Sequence, residues 1–305
     1  MTEAARAVVL SGTGGVWRVR TDAGDTREVS LRGRLKKEGA VKLAVGDEVV
    51  LEAGERGDEW AIREILPRRS KLARRAPSGA YGERIVAANI DQVVAVFAAA
   101  EPEPHERMLD RFLVIAAAND IGARIVINKV ELVDNAAARF AVYERAGYPV
   151  HYTSVKLGDG LSALHDVLAG RVSALSGPSG VGKSSLLNAM YHGLNIRVGE
   201  ISRSVNKGRH TTVGAELHPL PDGGYVVDTP GLREVGVWGV EPGELDRCFL
   251  EFRPLLGACR FGDCTHATEP GCAVRAAVRD GSISAARHDS YLKLRTEIED
   301  GAPAW

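Results

Sequence analysis

The stretch Gly177-Pro178-Ser179-Gly180-Val181-Gly182-Lys183-Ser184 fits the spacing G-x-x-x-x-G-K-[ST]. An apolar run, Val172-Ser173-Ala174-Leu175-Ser176, precedes it, and a helix-like segment, Ser185 to Met190, follows. A strand, a glycine-rich turn and a helix in that order make a phosphate-binding P-loop. The glycines let the chain turn tightly enough for its N–H groups to face a phosphate. The helix N-terminus adds partial positive charge. Lys183 is expected to reach the β- and γ-phosphates, and the Ser184 hydroxyl to sit on Mg²⁺.

Outward from the loop, residues 85 to about 235 alternate strand and helix. Val93–Ala98, Arg124–Ile127, Val150–Thr153 and Tyr225–Val227 read as strands, and Glu106–Ala118, Ala136–Ala146 and Leu161–Leu168 as helices. This alternation predicts a mostly parallel sheet that binds ligands at the C-terminal ends of its strands. Residues 1 to about 66 read instead as about five short β-strands, among them Val16–Arg20, Arg27–Leu31, Val45–Leu51 and Trp60–Leu66, separated by turn clusters. So many short strands suit a small closed barrel of the OB-fold type, a frequent oligonucleotide binder. Pro67 ends it, and Arg68 to Arg75 then carry five basic residues and no acid, either a solvated linker or part of an RNA-binding surface. Lys36, Lys37 and Lys42 extend that candidate surface. Residues 1–75 hold sixteen Lys/Arg against twelve Asp/Glu, a net of +4. Beyond about 240 the pattern is helix, cysteine cluster, helix.

The chain has 305 residues, a formal net charge of -1 and 45% hydrophobic residues, enough for one to three packed domains. The first residues lack a signal peptide's apolar stretch and no apolar run is long enough to span a bilayer, so a cytoplasmic location is the default expectation. Three of the four cysteines lie close together near the C-terminus, which in a cytosolic chain points to metal rather than disulfides. Cys259-x4-Cys264-x-His266-x5-Cys272 offers three thiolates and one imidazole, the closed tetrahedral set of a structural zinc. Cys248 falls outside that spacing and reads as a buried thiol.

Four more short sequences lie at predicted strand ends or in the loop after the P-loop helix. They are Asn128-Lys129-Val130-Glu131, Thr153-Ser154-Val155-Lys156, Gly208-Arg209-His210-Thr211-Thr212 and Asp228-Thr229-Pro230-Gly231. Together with the P-loop they form the set a GTPase uses. A carboxylate after Asn-Lys can accept from both guanine N1–H and the 2-amino group. Asp228 would hold Mg²⁺ through water, Gly231 N–H would meet the γ-phosphate, and Thr212 would close the Mg²⁺ shell. Their order is permuted: the guanine motifs precede the P-loop. A parallel sheet tolerates this, because each motif loop still leaves the same sheet edge.

On these motifs the chain resembles the circularly permuted, ribosome small-subunit-dependent GTPase A family along nearly its whole length. The resemblance implies an OB-fold (1–68), a permuted P-loop GTPase domain (69–238) and a mainly helical zinc-binding C-terminal domain (239–305). It implies guanine-nucleotide contacts from Asn128, Lys129, Glu131, Ser154, Val155, Gly177 to Ser185, Thr212, Asp228 and Gly231. It also implies a zinc held by Cys259, Cys264, His266 and Cys272, and rRNA binding with GTP hydrolysis stimulated by the small (30S) subunit during its late maturation. A monomer with no membrane partner is expected. Two positions depart from the usual pattern. Glu131 stands where the family has Asp, and Leu232 stands where many GTPases place a water-orienting glutamine. With an apolar Leu232, intrinsic turnover should be slow. His210 is the nearest side chain that could orient water; packing or RNA contact is its other reading. The competing function is an RNA-binding assembly scaffold whose nucleotide is structural and scarcely hydrolysed. A kinase-like ATP enzyme is disfavoured by Asn128-Lys129.

Overall fold

The computed structural model of the chain describes residues 4–32, 42–54, 59–75, 83–191, 194, 215–228 and 240–300. The sequence motifs at 208–212 and 229–232, with His210, Thr212, Gly231 and Leu232, lie outside the described residues, as do Lys36 and Lys37.

Five strands, β1 (Ala4–Thr13), β2 (Val16–Thr21), β3 (Thr26–Leu31), β4 (Glu48–Ala53) and β5 (Trp60–Ile65), close into a barrel in the order β1-β2-β3-β5-β4. Closure removes the free strand edges, and Val9, Val19, Val29, Val49, Leu51 and Ile62 fill the interior. The basic run after Pro67 is not a solvated linker. Arg68 binds the fully buried carboxylate of Asp47 through Nε (2.6 Å) and Nη2 (2.8 Å). Arg69 Nη1 donates to Asp91 Oδ1 at 2.8 Å. The following residues form β6 (Lys71–Arg75), which pairs antiparallel with β7 (Glu83–Ala88). Asn89 ties the two regions together. Its Oδ1 accepts from Arg69 N at 2.8 Å and its Nδ2 donates to Gly46 O at 2.9 Å.

The second unit is a six-stranded sheet built from β8 (Gln92–Ala98), β9 (Gly122–Asn128), β10 (Val150–Tyr152), β11 (Val172–Ser176), β12 (Glu216–Pro219) and β13 (Tyr225–Asp228), in the order β10-β9-β8-β11-β13-β12. All neighbours are parallel except the edge pair β12/β13. The central strand β8 is buried at every position, as expected of a parallel strand covered on both faces. Its residues alternate between two cores. Val93, Ala95 and Phe97 pack with α1 (Glu106–Ala118) and α2 (Ala136–Arg145), while Val94, Val96 and Ala98 pack with α3 (Leu161–Leu168) and α4 (Lys183–Met190). Each large apolar side chain so buried contributes about 1.5–3 kcal/mol.

The C-terminal residues carry α5 (Ala273–Asp280) and α6 (Ala285–Glu299) around a core of Phe249, Phe252 and Tyr291, which also takes in Val114 of α1. A buried ion cluster fastens this part to the sheet. Arg287 of α6, 2% exposed, donates to Asp110 of α1 (2.5 Å) and to Glu251 (2.7 and 3.1 Å). Its guanidinium also lies 4.6 Å from the Phe249 ring centroid. No described helix is long and apolar enough to cross a membrane.

Candidate nucleotide and metal sites

The motif loops emerge along one edge of the sheet. Asn128 ends β9, Thr153 follows β10, Gly177 follows β11 and Asp228 ends β13. Permutation of the chain has left their meeting place intact.

The two fixed glycines of the P-loop are required by neighbours. A Cβ on Gly177 would lie 2.0 Å from Val96 O of the adjacent strand, and its φ is +146°. A Cβ on Gly182 would lie 2.4 Å from Asn128 Nδ2, at φ +97°. Asn128, 2% exposed, therefore sits against the P-loop. Its Nδ2 donates to Val181 O at 2.9 Å, and its Oδ1 accepts from Thr153 Oγ1 at 3.2 Å. One amide thus joins the loops after β9, β10 and β11. Gly180 adopts φ +81°, and Pro178 and Ser179 complete the turn between the fixed glycines.

Lys183 and Ser184 open α4, with Ser185 after them, and the first two are 5% and 6% exposed. Lys183 Nζ donates to Gly177 O (2.8 Å) and Pro178 O (2.7 Å), so the ammonium lies inside the loop that a phosphate would occupy. Reaching a phosphate means exchanging these neutral acceptors for charged oxygens, which make stronger bonds.

Lys129, at φ +59°, carries the chain from β9 into a 3₁₀ turn, Val130–Leu132, and its Nζ donates to Glu101 O. Glu131 lies in that turn. Its Oε2 is shielded from solvent and has no hydrogen-bond partner among the described residues. A shielded, unpaired carboxylate oxygen is costly unless a donor reaches it, which suits the base-reading role expected from sequence. Ser154 is fully buried, and its Oγ accepts from Leu157 N at 3.0 Å. The turn it starts, which includes Val155, is closed by Gly158 N donating to Ser154 O at 2.9 Å.

The cysteine cluster is equally compact. The ligand atoms of Cys259, Cys264, His266 and Cys272 all lie within 4.8 Å of one another. Cys259 Sγ is 3.9 Å from Cys272 Sγ and 3.6 Å from His266 Nδ1, which is 3.4 Å from Cys272 Sγ. Thiolates and imidazole around one tetrahedral ion are separated by about 3.5–3.8 Å, so this set can hold a metal ion. Ala273 N (3.3 Å) and Arg275 N (3.4 Å) donate to the sulfurs of Cys259 and Cys272, the latter capping α5. His266 turns Nδ1 to the sulfurs and Nε2 toward Asp246 Oδ2 at 3.4 Å. A carboxylate behind a ligating imidazole holds its orientation. Cys248 stands apart, and burial pushes its thiol up to about 11.

The sequence motifs named Asn128, Val181 and Thr153 without showing that the three meet, and the carbonyl of Glu101, which takes the Lys129 ammonium, had no signal at all. Asp246 lies 20 positions before His266, outside any metal-ligand spacing.

Known proteins place this arrangement. The sequence profile of the RsgA GTPase family matches residues 65–238. A protein of Gemmatimonas aurantiaca named "Small ribosomal subunit biogenesis GTPase RsgA" is 61% identical over 98% of this chain and 99% of its own length. One of the same name from Bacteroides fragilis is 37% identical over 97% of this chain and 98% of its own. Among solved structures, YjeQ from Thermotoga maritima is similar with a TM-score of 0.78 and 34% identity, over 97% of this chain and 98% of that one. YloQ, described as a circularly permuted GTPase, follows at 0.77 and 30%, over 99% and 98%. The chain belongs to the RsgA GTPase family.

Proposed function

We propose that this chain hydrolyses GTP to GDP and phosphate, and that it acts in late maturation of the small ribosomal subunit, which binds it and stimulates its turnover. The observation that carries the reading is the Asn128 amide. It joins the Asn-Lys-x-acid loop to Val181 of the P-loop and to Thr153, so base reading and phosphate binding belong to one rigid edge. The names of the relatives support the subunit as partner.

In this reading Lys183 neutralises the β- and γ-phosphates, and Ser184 and Thr212 hold Mg²⁺, with Asp228 acting through water. Mg²⁺ would draw charge from the phosphate oxygens as the bond to the leaving group breaks. Gly231 N–H donates to the γ-phosphate. Glu131, with Asn128, Lys129, Ser154 and Val155 around it, reads guanine. His210 orients the attacking water that Leu232 cannot. The barrel, about 1–68, binds rRNA with Lys42 and its other basic residues. The nucleotide domain spans 69–238, and the C-terminal domain, 239–305, holds one structural zinc through Cys259, Cys264, His266 and Cys272. The protein works as a cytoplasmic monomer.

The decisive measurement is hydrolysis of GTP and of ATP by the purified protein, each with and without purified small subunits. GTP alone should be turned over, and faster with subunits. Equal ATP turnover would sink the guanine reading. GTP binding with no acceleration would favour the scaffold instead. His210→Ala should keep GTP affinity while subunit-stimulated turnover falls about 10²–10⁴-fold. Unchanged stimulated turnover would pass the water to another group.

A further inference from the structure

One hairpin joins the two motifs expected to meet the γ-phosphate. Thr212 lies four positions before Glu216, the first residue of β12, and Asp228, the last residue of β13, opens the second motif. Across the hairpin Glu216 pairs with Asp228, Leu217 with Val227 and His218 with Val226. Both motifs therefore share a root. On its inner side β13 is held by the P-loop strand, with Ala174 opposite Val227 and Leu175 opposite Asp228. The outer strand, β12, is only four residues long and has one strand partner among the described residues.

The barrel supports β12. Strand β1 runs against it, and Leu10 of β1 lies in the same buried cluster as Leu217, with Val8 packed on that cluster. At the motif end of β12, Arg18 of β2 donates to Glu216 Oε1, the two side chains being 44% and 43% exposed. A half-exposed guanidinium is a natural partner for an RNA phosphate.

We propose that Arg18 and Glu216 are positioning residues through which the barrel sets the hairpin bearing both γ-phosphate motifs, so that RNA on the barrel alters the nucleotide site. A phosphate that takes Arg18 leaves Glu216 unpaired at the root of both motifs. By linkage, a γ-phosphate bound at the nucleotide site changes the barrel's RNA affinity by the same factor. This rests on the proposed roles of Thr212, Asp228 and Gly231.

Glu216→Lys tests it while leaving Arg18 in place. In the free protein, affinities for GDP and for a non-hydrolysable GTP analogue are measured side by side. Affinity for the analogue should fall about two- to fivefold, the scale of a half-exposed ion pair, while GDP affinity stays at wild type. The charge-swapped pair Arg18→Glu with Glu216→Lys should restore the ratio. A contact that only stabilises the fold would lower the melting temperature and shift both nucleotides together or neither. An unchanged analogue-to-GDP ratio in Glu216→Lys, or no recovery in the swapped pair, overturns the inference. With purified small subunits, Glu216→Lys should lose part of the acceleration. Wild-type protein that shows no acceleration would refute the subunit reading, yet the nucleotide ratio of the free protein would still decide this one.

Discussion

The nucleotide edge and the cysteine cluster each gather polar side chains into a small volume, but they are finished differently. In the cluster the four ligand atoms lie within 4.8 Å of one another, backbone N–H groups cover two sulfurs, and Asp246 backs the imidazole. The set is closed and leaves no position for a reacting molecule. At the nucleotide edge the partners are provisional. Lys183 rests on carbonyls of its own loop, and Glu131 Oε2 has no partner among the described residues. A site built for structure satisfies its own groups; a site built for turnover keeps groups that a ligand must satisfy.

The sharpest way to break this contrast is at the P-loop. Lys183→Ala and Ser184→Ala should each abolish GTP turnover with no loss of bound metal from the cysteine cluster. Near-normal hydrolysis by either purified variant would remove the P-loop from the chemistry. On the other side, Cys264→Ser should lose the metal and unfold the C-terminal part, because metal binding and folding share their free energy there. Cys248→Ser should do neither. Elemental analysis of unchelated wild-type protein should give one zinc per chain, and a metal-free result would refute the structural-ion reading.

Arg287 joins the C-terminal part to α1, and its removal should cost about 3–5 kcal/mol by leaving the Asp110 and Glu251 carboxylates buried without a cation. Urea denaturation of Arg287→Ala measures this. A loss below about 1 kcal/mol would mean that water replaces the guanidinium and that the joint is loose. The smallest expected effect concerns the base. Glu131→Ala should erode the preference for GTP over ATP by about 1–3 kcal/mol, and Glu131→Asp should keep it. Competition binding that still strongly favours GTP in Glu131→Ala would assign guanine reading elsewhere.

Much of the fold was legible from the chain. Helices Glu106–Ala118 and Leu161–Leu168 and strand Val172–Ser176 coincide with the sequence reading, because apolar patterning marks them. Strand Glu216–Pro219 was not anticipated: it has four residues, ends in proline and lies at the sheet edge, so it carries almost no period. Strand Ala4–Thr13 was not named either. The basic run from Arg68 was read by its charge alone, and charge does not reveal that Arg68 is taken by the buried carboxylate of Asp47.

What the sequence determined by itself is what depends on local spacing: the P-loop, the Asn-Lys-x-acid and Asp-x-x-Gly motifs, their permuted order and the four residues that can hold a metal ion. Each is defined by residues a few positions apart, so it can be read from the chain. What only the tertiary structure decided is which distant groups meet. Asn128 and Val181 are 53 positions apart, Arg287 and Asp110 177, and Arg18 and Glu216 198. Those pairings depend on strand order and on which faces pack together, and hydrophobic periodicity says that a face is buried without saying what buries it.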